Sequence, residues 1–175
     1  MKRIYMVRHC QAEGQSPEAP LTKEGVQAED LADFFGNLQV DRIISSPFKR
    51  AIQTVQPFAD RKQLVIETDA RLEERRLSGV PLHDWLDKLK KTFDNPDLKF
   101  DGGESSAEAA VRIVSVVDEA FRNHLATTLI VTHGNLLALL LNRLDNQFGF
   151  EDWADLTNPD ISCWNQLEMT CGSKG

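Results

Sequence analysis

Thr127-Thr128-Leu129-Ile130-Val131-Thr132-His133-Gly134-Asn135 is the stretch on which the reading of this chain turns. Thr127 to Thr132 is apolar, β-branched and bounded by polar residues, which predicts a buried strand. Leu136 to Leu144 follows at once and is apolar enough for a largely buried helix. A strand, a turn carrying His-Gly-Asn and a helix make half of a βα unit. A helix N-terminus with a Gly and free N–H groups favours a bound anion.

Working outward, the same alternation recurs. Ile4 to Val7 is a short strand ending at Arg8-His9. Thr22 to Leu38 carries Ala28, Leu31, Ala32, Phe35 and Leu38 at helical spacing, with Thr22 as its expected cap. Arg42 to Ser45 is a second strand, and Pro47 to Ala59 a helix with Pro47 suited to its first turn. Leu64 to Ile66 is a third strand. Leu77 to Glu104 holds Pro81, Pro96 and Gly102-Gly103, with a helical piece around Leu82 to Leu89. It predicts an excursion from the core. Ser105 to Leu125 is a helix opened by a Ser105/Glu108 capping box, with Ala110, Ile113, Val117, Ala120 and Phe121 on one face. Ile161 to Met169 predicts a final edge strand. Strands separated by helices predict an α/β fold: a three-layer α/β/α sandwich whose mostly parallel sheet has helices on both faces.

The chain has 175 residues, with 20 Lys and Arg against 27 Asp and Glu, a formal net charge of −7. That length predicts one domain, residues 1–175, with a small rim at 77–104. The acidic balance argues against a nucleic-acid partner, which would want basic stripes. A local Arg cluster can still hold an anion, because a Debye length of about 8 Å screens remote charge. The longest apolar run, Leu136 to Leu141, is far short of the roughly 20 residues that span a bilayer. The N-terminal residues are charged again too soon for a signal-peptide core. Cys10, Cys163 and Cys171 form no C-x-x-C pair and are expected as reduced thiols. The expectation is therefore a cytoplasmic protein with no membrane partner.

In an open α/β sheet, ligands bind beyond the carboxyl ends of the strands. His9 and His133 both stand at such ends, whereas His83 and His124 fall on helical segments as surface or packing residues. A phosphoryl group fits this collection. Arg binds phosphate oxygens with two N–H groups, a neutral imidazole can attack phosphorus, and a second imidazole or Arg can stabilise the transferring charge. The leaving oxygen then needs a carboxylic acid in a poorly solvated place.

Five blocks in order carry a resemblance. Arg8-His9 followed by Leu21-Thr22-Lys23-Glu24-Gly25-Val26-Gln27-Ala28 resembles the opening of the histidine phosphatase superfamily, the phosphoglycerate mutase-like proteins. Ser45-Ser46-Pro47-Phe48-Lys49-Arg50-Ala51-Ile52-Gln53-Thr54 resembles its second block. Arg71-Leu72-Glu73-Glu74 resembles its R-L-x-E element, Gly102-Gly103-Glu104-Ser105 a block of its small phosphatases, and Val131 to Asn135 its V-S-H-G element. The blocks run from residue 8 to residue 135.

The resemblance implies His9 as the nucleophile that becomes phosphohistidine. It implies Arg8, Arg50 and His133 on the phosphoryl oxygens, with backbone N–H groups near Gly134 and Asn135 adding a donor. Glu74 is implied as the acid that protonates the leaving oxygen and then activates water. Glu73 and, more weakly, Glu104 are its rivals. No metal and no other cofactor is expected, since Arg and His supply the positive charge.

The chain departs from the family pattern twice. Cys10 stands where Gly is usual, either as an oxidation-sensitive neighbour of the site or as an inert packed thiol. Gln15 stands where many members place a phosphoryl-binding Asn. Trp85 either touches substrate from the rim or packs on the sheet, while Trp153 and Trp164 are expected in core or edge packing. Arg75 and Arg76 either extend a positive rim or are solvated.

The function implied is hydrolysis of a small phosphorylated metabolite through phosphohistidine. The alternatives are a phosphohistidine phosphatase acting on protein, a phosphoglycerate-type mutase, and a non-catalytic phosphate-binding protein. Only about 30 residues separate Glu74 from Glu104, where the resemblance implies larger enclosing insertions in mutases.

Overall fold

The computed structural model describes residues 2–23 and 26–165. Five strands, β1 (Arg3–Arg8), β2 (Arg42–Ser45), β3 (Ile66–Thr68), β4 (Thr127–Thr132) and β5 (Asp160–Asn165), form one sheet in the order β3-β2-β4-β1-β5. All neighbours run parallel except β5, which lies antiparallel to β1. The helices are α1 (Val26–Phe35), α2 (Lys49–Lys62), α3 (Trp85–Asp94), α4 (Ser106–Arg122), α5 (Gly134–Leu144) and α6 (Phe150–Asp155), with a 3₁₀ turn at Ala70–Leu72.

The two-residue period of a strand sends alternate side chains to opposite faces. Ile4, Met6, Ile44 and Ile130 join one buried cluster with Ile113, Val117, Leu136 and Leu140 of α4 and α5. Tyr5, Val7, Ile43, Leu129 and Val131 join another with Leu31, Phe35, Val55 and Phe58 of α1 and α2. Both faces of the sheet are covered, so the expected three-layer α/β/α sandwich is the observed fold. It also explains why the central strands are apolar runs: neither face meets water.

Several boundaries differ from the sequence reading. The helix expected from Thr22 to Leu38 is α1, which ends at Phe35 where Gly36 N–H turns back to Asp33 O (3.0 Å). Thr22 does not cap it; its Oγ1 has no hydrogen-bond partner among the described residues. Pro47 precedes α2 rather than opening it, because Phe48 is the extended N-cap residue. The strand expected at Leu64 to Ile66 starts two residues later. Gln63 takes a left-handed conformation (φ 54°) and Leu64 N–H bonds back to Ala59 O, prolonging the helix end.

The helical piece expected at Leu82 to Leu89 is α3, displaced toward Asp94. The capping box holds as expected, with Ser105 and Glu108 bonded reciprocally at 3.1 and 2.8 Å. α5 starts at Gly134, two residues before the apolar run, and α6 was not expected at all. β5 is an edge strand as expected; residues 166–169 of that reading, and Cys171, lie outside the described residues. Among the described residues no helix is long and apolar enough to cross a membrane.

The excursion leaves the sheet after the 3₁₀ turn and carries α3. Its two ends are stitched together by Gly79 N–H to Asp101 O and Glu104 N–H to Arg76 O, both 2.8 Å. Gly102 and Gly103 permit that closure. Gly102 has φ +67°, and a Cβ on Gly103 would lie 2.2 Å from Leu77 O.

Candidate active site

Strand order assembles the site. β1 and β4 are far apart in sequence but adjacent and parallel in the sheet, with Arg8 opposite Thr132. The residues that follow them, His9 and His133, therefore emerge side by side, and their rings lie 5.1 Å apart between centroids. His9 N–H donates to Thr132 O (3.0 Å), tying the two strand ends together.

His9 is held by its backbone and its ring. Its carbonyl accepts from Asn158 Nδ2 (2.8 Å), and the next N–H, of Cys10, donates to Thr54 Oγ1 (2.9 Å). Nδ1 is 2.6 Å from Cys10 O, which can only accept, so Nδ1 carries the proton. Nε2 is then the free lone pair, and it accepts from Arg50 Nε (3.2 Å). Burial, helped by the Arg50 and Arg8 charges and opposed by the Cys10 carbonyl, pushes the His9 pKa down to about 4. At neutral pH the imidazole is therefore an unprotonated base, the form a nucleophile requires.

Arg50 sits in the first turn of α2 and is fully buried. Its Nη1 donates to Ser16 O (2.8 Å), and its guanidinium stands over the Phe48 ring at 4.9 Å. Arg8 Nη1 donates to Leu156 O (2.6 Å), while its Nε is buried with no partner. Gly134 is required beside it: a Cβ there would lie 2.8 Å from both Arg8 Cζ and Nε.

His133 is the N-cap residue of α5 and is fully buried. Its Nε2 is 2.8 Å from Ser46 Oγ, its ring meets Phe48 edge-on at 4.9 Å, and its Nδ1 has no partner. Burial first, and then the positive groups around it, hold its pKa well below the usual imidazole range. Ser46, Phe48, Thr54 and Asn158 are missing from the sequence-derived site. Ser46, Phe48 and Thr54 lie inside the second block, but nothing local marks their partners.

Glu74 lies at the N-terminus of α5. Its Oε1 accepts from Arg75 N–H (2.8 Å) and Leu136 N–H (3.0 Å), and its Oε2 from Asn135 N–H (3.1 Å). The acid expected in a poorly solvated place is thus a half-buried carboxyl that accepts three backbone hydrogen bonds. One of these uses the Asn135 N–H expected to serve phosphate. Glu73 is absent from the wall of the larger cavity that Glu74 lines; it lines one of about 290 Å³ together with Glu74 itself, Arg76 and Glu104. Glu104 is committed elsewhere, clamped by Arg112 at 2.5 and 3.0 Å.

Neither reading of Arg75 holds. It is buried, with Nη1 donating to Thr92 Oγ1 (2.7 Å) and Nη2 to Glu104 O (3.2 Å), so it ties α3 to the two ends of the excursion. Arg76 is exposed, as are His83 and His124.

A cavity of about 540 Å³ opens from this cluster, walled by Arg8, Gln15, Glu74, Asn135, Trp85 and Trp153 among others. Gln15 is exposed and on the wall, and Trp85 is 50% exposed at the mouth. Trp153 lines the cavity too, contrary to its expected packing role, because α6 stacks Phe150 between it and Phe93 of α3. Trp164 packs against the α4 and α5 cluster, as expected.

Arg8 Nε, His133 Nδ1, both amide atoms of Asn135 and Trp153 Nε1 are buried without partners among the described residues. Each such atom costs about 1–3 kcal/mol. Those of Arg8, Asn135 and Trp153 belong to residues that line one cavity, which marks a place built for a polar ligand. Cys10 is buried, and that burial raises its thiol pKa to about 11, the inert packed alternative.

A sequence model described as "Histidine phosphatase superfamily (branch 1)" matches residues 4–174. A "Putative phosphoserine phosphatase 2" of Hydrogenobacter thermophilus is 33% identical over 153 residues, covering 78% of this chain and 75% of the relative. A "Probable phosphoglycerate mutase GpmB" of Proteus mirabilis is 30% identical over 161 residues, covering 81% and 74%. Among solved structures, a mycobacterial glucosyl-3-phosphoglycerate phosphatase superposes with a TM-score of 0.75 at 25% identity, covering 93% of this chain and 89% of that one.

Proposed function

The chain belongs to the histidine phosphatase superfamily, and on that footing we propose that it hydrolyses small phosphomonoesters through a phosphohistidine formed at His9. The observation that carries this reading is the His9 ring. Its Nδ1–H is anchored on Cys10 O, and its Nε2 lone pair is held neutral beside Arg50.

In the first step Nε2 attacks phosphorus and the ester P–O bond breaks. The leaving oxygen takes the proton of the Glu74 carboxyl. Arg8 and Arg50 hold the phosphoryl oxygens, and His133 contacts them, where developing charge strengthens the contact. Gln15 and the Gly134 N–H add donors from the wall and from the α5 N-terminus, while the Asn135 N–H stays on Glu74. In the second step water attacks the phosphohistidine, the P–N bond breaks and Nε2 regains its lone pair. Glu74 takes a proton from that water and is restored. No metal enters the scheme, because Arg8 and Arg50 supply the positive charge.

Relatives named as phosphatases of small metabolites support a small substrate. The half-exposed Trp85 at the mouth leaves the cavity accessible to water, which supports hydrolysis over a mutase reaction. The free thiols of Cys10 and Cys163 suit a reducing, cytoplasmic setting. The test is p-nitrophenyl phosphate hydrolysis with a chelator present, by the wild type and by His9→Ala. Chelator-resistant activity that disappears in the variant is expected; activity that survives in His9→Ala would overturn the scheme.

A further inference from the structure

The wall of the cavity beyond the phosphate cluster has a chemistry of its own. Leu77, Leu82, Leu89, Trp85 and Trp153 make most of it. The charged groups in it are already accounted for. Arg8 faces the phosphate cluster and bonds Leu156 O. The buried Arg75 guanidinium is spent on Thr92 and the Glu104 carbonyl. Glu74 contributes a carboxyl to the same wall.

A second anionic group on a substrate would meet no uncommitted cation in this wall, and a charge taken out of water without a partner is costly. Two side chains of this wall hold buried polar atoms that lack partners among the described residues. Asn135 is 7% exposed, with both amide atoms unsatisfied, and Trp153 Nε1 is buried and unbonded. The volume, about 540 Å³, is within the roughly 300–1,000 Å³ of small-molecule sites.

Resting on the phosphatase reading, we propose that the group esterified to the phosphate is an uncharged alcohol with a ring or similar apolar body. Its body packs against Trp85 and the leucines. A hydrogen-bonding atom on it meets the Asn135 amide or Trp153 Nε1. Phosphomonoesters carrying a carboxylate, such as phosphoglycerates and phosphoserine, are disfavoured. This separates the chain from the phosphoserine and phosphoglycerate substrates for which the two curated relatives above are named.

Binding tests this without turnover. Tryptophan fluorescence reports on Trp85 and Trp153 while the wild-type protein is titrated with benzylphosphonate, or with 3-phosphonopropionate as the carboxylate-bearing probe. Benzylphosphonate is expected to bind at least about tenfold tighter, the worth of one well-packed ring. In Trp85→Ala that ratio should fall several-fold. Equal affinities, or tighter binding of 3-phosphonopropionate, would overturn the proposal. A ratio unchanged in Trp85→Ala would overturn it too, because the apolar wall would not be its source. Hydrolysis of p-nitrophenyl phosphate by the same preparations tests the phosphatase reading separately. A protein that shows the preference but does not hydrolyse keeps the subsite, and one that hydrolyses without preference loses it.

Discussion

The floor and the rim of the site are held in different ways. The floor is His9 and His133 at the ends of adjacent parallel strands, with Arg8 at the end of β1 and Arg50 in the first turn of α2. Its histidines and Arg50 are buried, and backbone ladders fix their positions. The rim is the excursion bearing α3, together with α6. It is held by the buried Arg75 on Thr92 and Glu104 O, by the Gly102-Gly103 closure, and by Phe150 stacked between Phe93 and Trp153. A floor made by strand ends is rigid and suits chemistry common to a family. A rim made by a few side chains can change its lining without disturbing that floor, and so suits substrate choice.

The largest effects should come from the floor. Glu74→Gln should slow hydrolysis of alkyl phosphates by about 10²–10⁴, while p-nitrophenyl phosphate, whose leaving group needs no proton, loses far less in the first step. Equal losses on both substrates in kcat/KM, which reads the first step alone, would take the acid role from Glu74. Arg50→Ala should cost about 10²–10³ in kcat/KM, because its contact strengthens as charge develops on the phosphoryl group. An unchanged kcat/KM would remove Arg50 from the floor.

The floor should also govern acid stability. Its two histidines are buried and neutral, whereas His83 in the rim is exposed. The folded His9 pKa of about 4 lies below the ordinary 6.5. Between those values the unfolded chain binds the proton and the folded one does not. Stability should therefore be level above pH 6.5 and fall as pH drops from 6.5 to 4, by on the order of 3 kcal/mol from His9. Denaturant titrations across that range should show a shallower fall in His9→Asn, and an identical fall would remove His9 as its source.

The smallest effect belongs to the rim. Arg75→Met leaves Thr92 Oγ1 and Glu104 O without their donor and should cost about 1–3 kcal/mol of stability. It should raise KM more than it lowers kcat, since no reacting group is touched. A fall in kcat alone would mean that Arg75 belongs to the floor.

The same contrast explains what the sequence disclosed. Floor residues announce themselves locally: His9 and His133 each end an apolar run. The adjacency of β1 and β4, which makes those histidines neighbours, is not local and came from the sheet itself. Rim residues depend on partners far away in sequence. Arg75 looks like one charge in an Arg-rich turn until Thr92 and Glu104 fold over it. Trp153 belongs to a six-residue helix, too short for a periodic signal, and joins the cavity only through Phe150. β3 is displaced because Gln63 adopts the left-handed conformation without the Gly that would have marked it.

The measurement that bears most directly on the central claim is a search for phosphate on His9. Glu74→Gln, mixed with p-nitrophenyl phosphate and quenched in alkali, should accumulate the phosphoenzyme, because the residue that activates water is gone. Peptide mapping by mass spectrometry should place one phosphoryl group on the peptide containing His9, and none should appear when His9→Ala is added. Phosphate on another residue, or steady hydrolysis by wild type and Glu74→Gln with no phosphorylated peptide at any time, would contradict the account.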